Sequence, residues 1–134
     1  MRRGDIWTVS GGKDYAGKPR PVVIVQDDAF DATDSITICA FTTDPTEAPL
    51  FRLAVAPNAR NGLRAASRLM VDKITTVGKA KLGERIGRLD DEDVVRLNQA
   101  AMVFLGLAVS PRAGRNAESR IALRRGALGS GGAT

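Results

Sequence analysis

In the stretch GKPRPVVIVQ, residues 17–26, a guanidinium is mounted on backbone that two prolines stiffen. Pro19 and Pro21 each fix their own φ at about −65° and push Lys18 and Arg20 toward extended geometry. An arginine held this way presents a planar fork of donors that suits phosphate oxygens. Few other side chains offer chemistry. The sequence has no histidine and a single cysteine, Cys39, so zinc sites and histidine-based triads are excluded. Cys39 cannot form an internal disulfide, and its surroundings, SITICAF, mark it as a small buried hydrophobe rather than a reactive thiol. The acids Asp90, Asp91, Glu92 and Asp93 occupy consecutive positions, from which side chains fan out around a helix axis; they read as a helix start and not as a metal site.

The elements that must position Arg20 follow from periodicity. With 134 residues, 43% hydrophobic and 26% charged, the chain fits one soluble domain with a single core. GDIWTVS (4–10) reads as a first strand, and PVVIVQ (21–26) as a β-branched strand at the heart of a sheet. SITICAFTT (35–43) alternates and gives a third strand, LFRLAVA (50–56) a fourth, SRLMVDKITTV (67–77) a fifth, and RIGRL (85–89) a last one. Five or six short strands at this spacing suggest an antiparallel sheet curled into a small barrel. A single helix follows: Asp90 can cap it, and Val94, Leu97, Ala101, Leu105 and Ala108 recur at helical spacing to pack one face on the sheet. The expected organisation is residues 1–109 as the folded unit and 110–134 as a basic, disordered tail. That tail holds five arginines against one acid and so four of the five net positive charges. It reads as a solvated extension or as an electrostatic arm for RNA. No stretch is long and apolar enough to span a bilayer, and the N-terminus lacks the apolar core of a signal peptide, so a cytoplasmic protein is expected.

RRGDIW at the start, GKPRPVVIV in the second strand, ITICAFTTD in the third, MVDKITTV in the fifth and RIGRLDDEDVVRLNQAAMVFLGL at the end lie in one order across residues 2–107. Together they resemble the MazF/PemK family of toxins. The resemblance implies a mainly β fold with a C-terminal helix, an SH3-like small β-barrel of the CcdB/MazF/PemK kind. It also implies a homodimer and a metal-independent endoribonuclease that needs no cofactor. In that family the 2′-hydroxyl of single-stranded RNA attacks the adjacent phosphate and leaves a cyclic phosphate and a 5′-hydroxyl end, with an arginine and a threonine as catalytic residues. By position in the motifs these are Arg20 and Thr42. Both residue types suit the task, because self-cleavage of RNA needs positioning and stabilisation of a phosphorane more than a protein nucleophile. Arginine keeps its charge at physiological pH, so charge stabilisation is the role expected of Arg20.

Substrate contacts are expected from Lys18 and Tyr15 in the loop before the second strand, from Thr43, and from Asp72 and Lys73 in the fifth-strand motif. Tyr15 could stack on a base or only pack the loop. Thr43 could be a second hydroxyl at the site or point to the opposite face of the sheet. Two departures from the family pattern stand out: Lys73 replaces a usual uncharged amide, and the loop SGGKDYAGK is shortened and lacks the Gly-x-Glu-Gln segment. The expected partners are single-stranded RNA and a cognate antitoxin whose acidic disordered segment would fold onto a basic groove. A gyrase poison of the CcdB type and a noncatalytic nucleic-acid-binding module are the alternatives, separable by whether purified protein cuts RNA in EDTA.

Overall fold

The structure, a computed structural model, describes residues 1–10, 18–46, 48 and 50–109. Tyr15 and the expected basic tail, 110–134, lie outside the described residues. Seven strands precede one helix: β1 (Asp5–Val9), β2 (Arg20–Ile24), β3 (Ser35–Thr42), β4 (Arg52–Val55), β5 (Ser67–Met70), β6 (Thr75–Gly78), β7 (Leu82–Arg88) and α1 (Asp91–Phe104). Every pairing is antiparallel, in the order β4-β5-β3-β2-β1-β7, with β6 pairing β3 off this path.

The eight-residue β3 organises the sheet. One of its edges pairs with β2 from Ile38 to Ala40. It pairs with β6 through Ser35–Ile38 and, further along, with β5 through Phe41 and Thr42. Its alternation distributes two cores, as a period of two requires. Cys39 and Phe41 join Ile6, Val23, Leu69, Leu89 and Leu97 beneath α1, while Ile36 and Ile38 join Val9, Val22 and Ile24 on the other face.

The structure departs from the sequence expectations at three places. The expected fifth strand is two, β5 and β6, separated by a three-residue 3-10 turn, Val71–Lys73, that buries Val71. The sheet curls between two cores but does not close into a barrel; β4 and β7 end the strand path. Only four residues long, β4 is followed by Pro57, which has no N–H to extend a ladder. The gap is filled instead by the loop at 57–63: Arg88 N–H donates to the Arg60 carbonyl at 2.8 Å, and a Cβ on Gly87 would come within 2.4 Å of the Asn61 backbone. Finally, α1 buries Leu97 and Ala100, with Val94 and Ala101 packed beside them, whereas Leu105 is 63% exposed at the helix end. Asp90 is the N-cap residue, yet its side chain caps no helix N–H; it accepts from Asn58 Nδ2 at 2.9 Å and so ties the helix start to the 57–63 loop.

The opening RRGD segment proves architectural. Gly4 has φ of +91°, and the buried Asp5 carboxylate accepts from Arg2 N–H at 3.0 Å and from Arg88 Nη1 at 3.2 Å, with Arg85 Nε at 3.4 Å. This clasp fixes β1 against β7.

Candidate active site

Arg20 opens β2, where it pairs with Val9 of β1. Thr42 closes β3, where it pairs with Arg68 of β5. Between them, Val22 faces Ala40 across the β2–β3 ladder. Continuing that register by two residues brings Arg20 level with Thr42. Since Arg20 shares a face with Val22 and Thr42 with Ala40, the pleat directs both side chains to the same side of the sheet. Both are half-buried.

The Thr42 hydroxyl has a defined orientation. Its oxygen accepts from Asp44 N–H at 3.1 Å, which leaves its proton to be donated elsewhere. Asp44 in turn accepts from Thr46 N–H at 3.0 Å and from Thr46 Oγ1 at 2.7 Å, closing a tight turn after β3. Those bonds, with smaller contributions from Arg52 and Arg68, hold the Asp44 carboxyl below the usual carboxylate range. Thr43 is exposed and shares with Thr42 the wall of a cavity of about 270 Å³ completed by Asp44, Pro45, residues 54–56, Ala66, Ser67 and Arg68.

A larger groove of about 430 Å³ runs across the same sheet face. Val22, Ile38, Ala40 and Met70 form its floor, with Lys73 and Lys81 at its edges. Lys73 thus faces this groove. Asp72 does not act alone: Arg52 Nε and Nη2 clamp its two oxygens at 2.8 and 3.0 Å. The clamp is the main reason the Asp72 carboxyl lies below the ordinary range and the Arg52 guanidinium above its own. Lys18 is exposed just before β2. Cys39 is fully buried, and desolvation pushes its thiol up to about 12, which removes it from any nucleophilic role. Among the described residues no group of three His, Cys, Asp or Glu side chains could hold a metal ion.

Two cations were not anticipated from sequence, Arg52 and Arg68. Each occupies the outward position of a strand whose alternate residues, Leu53 and Leu69, are buried. That alternation was visible in FRLAV and SRLM, but their neighbourhood with Thr42 depends on β3–β5 pairing.

The family model describing PemK-like, MazF-like toxins of type II toxin-antitoxin systems matches residues 2–105. The chain belongs to the PemK/MazF family. Within that family it is 53% identical over 108 residues to a protein named probable endoribonuclease MazF from Mycolicibacterium smegmatis, covering 81% of this chain and 99% of the relative. Identity to endoribonuclease EndoA of Bacillus subtilis is 26%, over 80% of this chain and 96% of that one. Among solved structures, a mycobacterial endoribonuclease in complex with its cognate antitoxin superposes with a TM-score of 0.69 at 24% identity, covering 82% of this chain and 99% of that one. A MazE–MazF structure from Deinococcus radiodurans gives 0.65 at 13% identity, over 79% and 95% of the two chains. These likenesses show the PemK/MazF fold: an open antiparallel sheet carrying one C-terminal helix.

Proposed function

We infer that this chain is the toxin of a type II toxin–antitoxin pair and an endoribonuclease that cuts single-stranded RNA by attack of the 2′-hydroxyl on its own phosphate. The products are a 2′,3′-cyclic phosphate and a 5′-hydroxyl end. The observation that supports this reading most is the shared sheet face of Arg20 and Thr42 at neighbouring strand ends, in a chain of the PemK/MazF family. As the 2′-oxygen gives its proton to water and bonds to phosphorus, and the bond to the 5′-oxygen breaks with that oxygen taking a proton from water, negative charge builds on the non-bridging oxygens. Arg20 answers that charge with two parallel N–H donors. Thr42, its oxygen already engaged by Asp44 N–H, directs its own proton at the same phosphate. Neither residue supplies a covalent intermediate, and no metal or cofactor enters the step.

Lys73 and Lys81 at the edges of the apolar-floored groove suit an extended polyanion, and Lys18 stands where the chain enters β2. The same groove suits an acidic antitoxin segment, in keeping with relatives solved in complex with antitoxins. A homodimer fits the apolar residues left exposed near the end of α1: Met102, Phe104, Leu105, Leu107 and Val109. No helix among the described residues is long and apolar enough to cross a membrane.

The test is incubation of purified protein with a long RNA in EDTA. Cuts at limited sites bearing cyclic-phosphate ends are expected. Arg20→Ala should lower turnover by at least about 10²–10³-fold, the cost of losing a single preorganised donor, while RNA affinity falls much less. Uncut RNA from well-folded wild-type protein would sink the reading, and inhibition of gyrase in the same preparation would replace it with a poison.

A further inference from the structure

The cavity beside Thr42 is separate from the groove floor, and it has an unusual pair of charges on its wall. At about 270 Å³ it falls just below the roughly 300–1,000 Å³ of pockets that take drug-sized ligands, a size for one flat ring system rather than a stretch of backbone. Its sides are largely apolar, from Pro45, Ala54, Val55, Ala56 and Ala66, which suit the face of a ring. Arg68 supplies a fork that only donates, and Asp44 a carboxylate that only accepts. The two groups lie within electrostatic reach of each other. A phosphate would meet the Asp44 charge as well as the Arg68 charge, so the mixed pair disfavours it. A base with acceptors on one edge and donors on another uses both.

We propose that this cavity is a base-recognition pocket for guanine in the RNA strand, read by the Arg68 fork and the Asp44 carboxylate next to the scissile position. Guanine offers O6 and N7 as paired acceptors to an arginine fork, and its N1–H and N2–H₂ donors to a carboxylate. Adenine presents a donor beside its N7, and cytosine, whose N3 and O2 can take the fork, has a single donor group at N4 for the carboxylate where guanine has two. Uracil can satisfy one bond with each group, where guanine satisfies two. Thr42 lines the same cavity and pairs with Arg68 across the ladder, so a base seated here places its phosphate near the Thr42 hydroxyl. The assignment rests on the ribonuclease reading for its meaning, but the pocket can be tested without cleavage.

Four 2′-fluoro pentamers, UUGUU, UUAUU, UUCUU and UUUUU, cannot undergo 2′-hydroxyl attack and report binding alone by fluorescence anisotropy. Wild-type protein should bind UUGUU at least fivefold more tightly than the others, and Arg68→Ala and Asp44→Asn should each bring it to their level. Asn at 44 retains an acceptor for Thr46 and so preserves the turn. Arg68→Lys, a point charge without a fork, should keep overall affinity but lose the preference. In parallel, capture of cyclic-phosphate ends from a long RNA should show guanine at one fixed offset from the cut, a bias the Arg68 and Asp44 variants lose. Cutting without that bias, together with equal binding of the four pentamers, overturns the pocket and leaves the ribonuclease standing. Guanine-selective binding without cutting supports the pocket and removes the ribonuclease. If Arg68→Ala weakens all four pentamers alike and flattens their salt dependence, Arg68 is a phosphate contact and the proposal is wrong.

Discussion

The Thr42 side chain is asked to do one thing, to donate a proton in a fixed direction, and that can be separated from its packing. Thr42→Ser retains the hydroxyl and should keep much of the activity, whereas Thr42→Val keeps the shape and β-propensity but should lose about 10²-fold in turnover at nearly unchanged melting temperature. Single-turnover rates on a fixed RNA distinguish the two. Asp72 makes a different kind of prediction. Its carboxyl is depressed chiefly by the Arg52 hydrogen bonds, so the clamp stabilises the fold above the unfolded-state value of about 4 and is lost as pH falls through the lower folded-state value. Asp72→Asn should therefore cost about 1 kcal/mol at neutral pH, between the values of exposed and buried pairs, and flatten the loss of stability in acid, as read by denaturant melts at several pH values. Arg20 and Thr42 were nominated by the family resemblance, with proline stiffening as local support at Arg20, and the strand register sets the two at neighbouring strand ends on one sheet face. Arg52 and Arg68 were not, since what gives them a neighbour is a pairing register between distant strands, set by which leucines reach the core.

At the scale of elements, the strand boundaries came from periodicity and the breaks did not. SRLMVDKITTV alternates well enough to pass for one strand, but β3 offers its edge to β5 and β6 at different levels, and the 3-10 turn at Val71–Lys73 makes the step between them. Nothing local in the sequence encodes that step. The glycines of β7 carry similar hidden information. A Cβ at position 87 would sit 2.4 Å from the Asn61 backbone and 2.5 Å from the Arg60 carbonyl, atoms that cannot rotate away. Gly87→Ala should therefore cost about 3 kcal/mol and lower the melting temperature by roughly 10 °C in a calorimetric scan. At Gly83 the nearest atom is the Thr8 hydroxyl oxygen at 2.6 Å, a side chain able to turn, so Gly83→Ala should be milder. The helix shows the reverse case: its start was read correctly from Asp90, while Leu105, counted in the packed face, stands exposed just past Phe104.

For the whole molecule, the described cores and most of the net charge belong to different parts of the chain. Residues 1–109 contain both cores and only one of the five net positive charges, and residues 110–134 contain the other four. Deleting residues 111–134 should leave the melting temperature within a few degrees and reduce the slope of log affinity for single-stranded RNA against log salt, by up to about 0.7 for each phosphate no longer neutralised. An unchanged slope would assign the electrostatics to the folded part. One further consequence follows from where Cys39 lies. It belongs to β3, which pairs with β2, β5 and β6, and its thiol is both sealed from water and held protonated. An alkylating reagent can reach it only when the sheet's central seam comes apart, so this one sulfur is a built-in clock for global opening: its labelling rate counts how often the whole fold breathes.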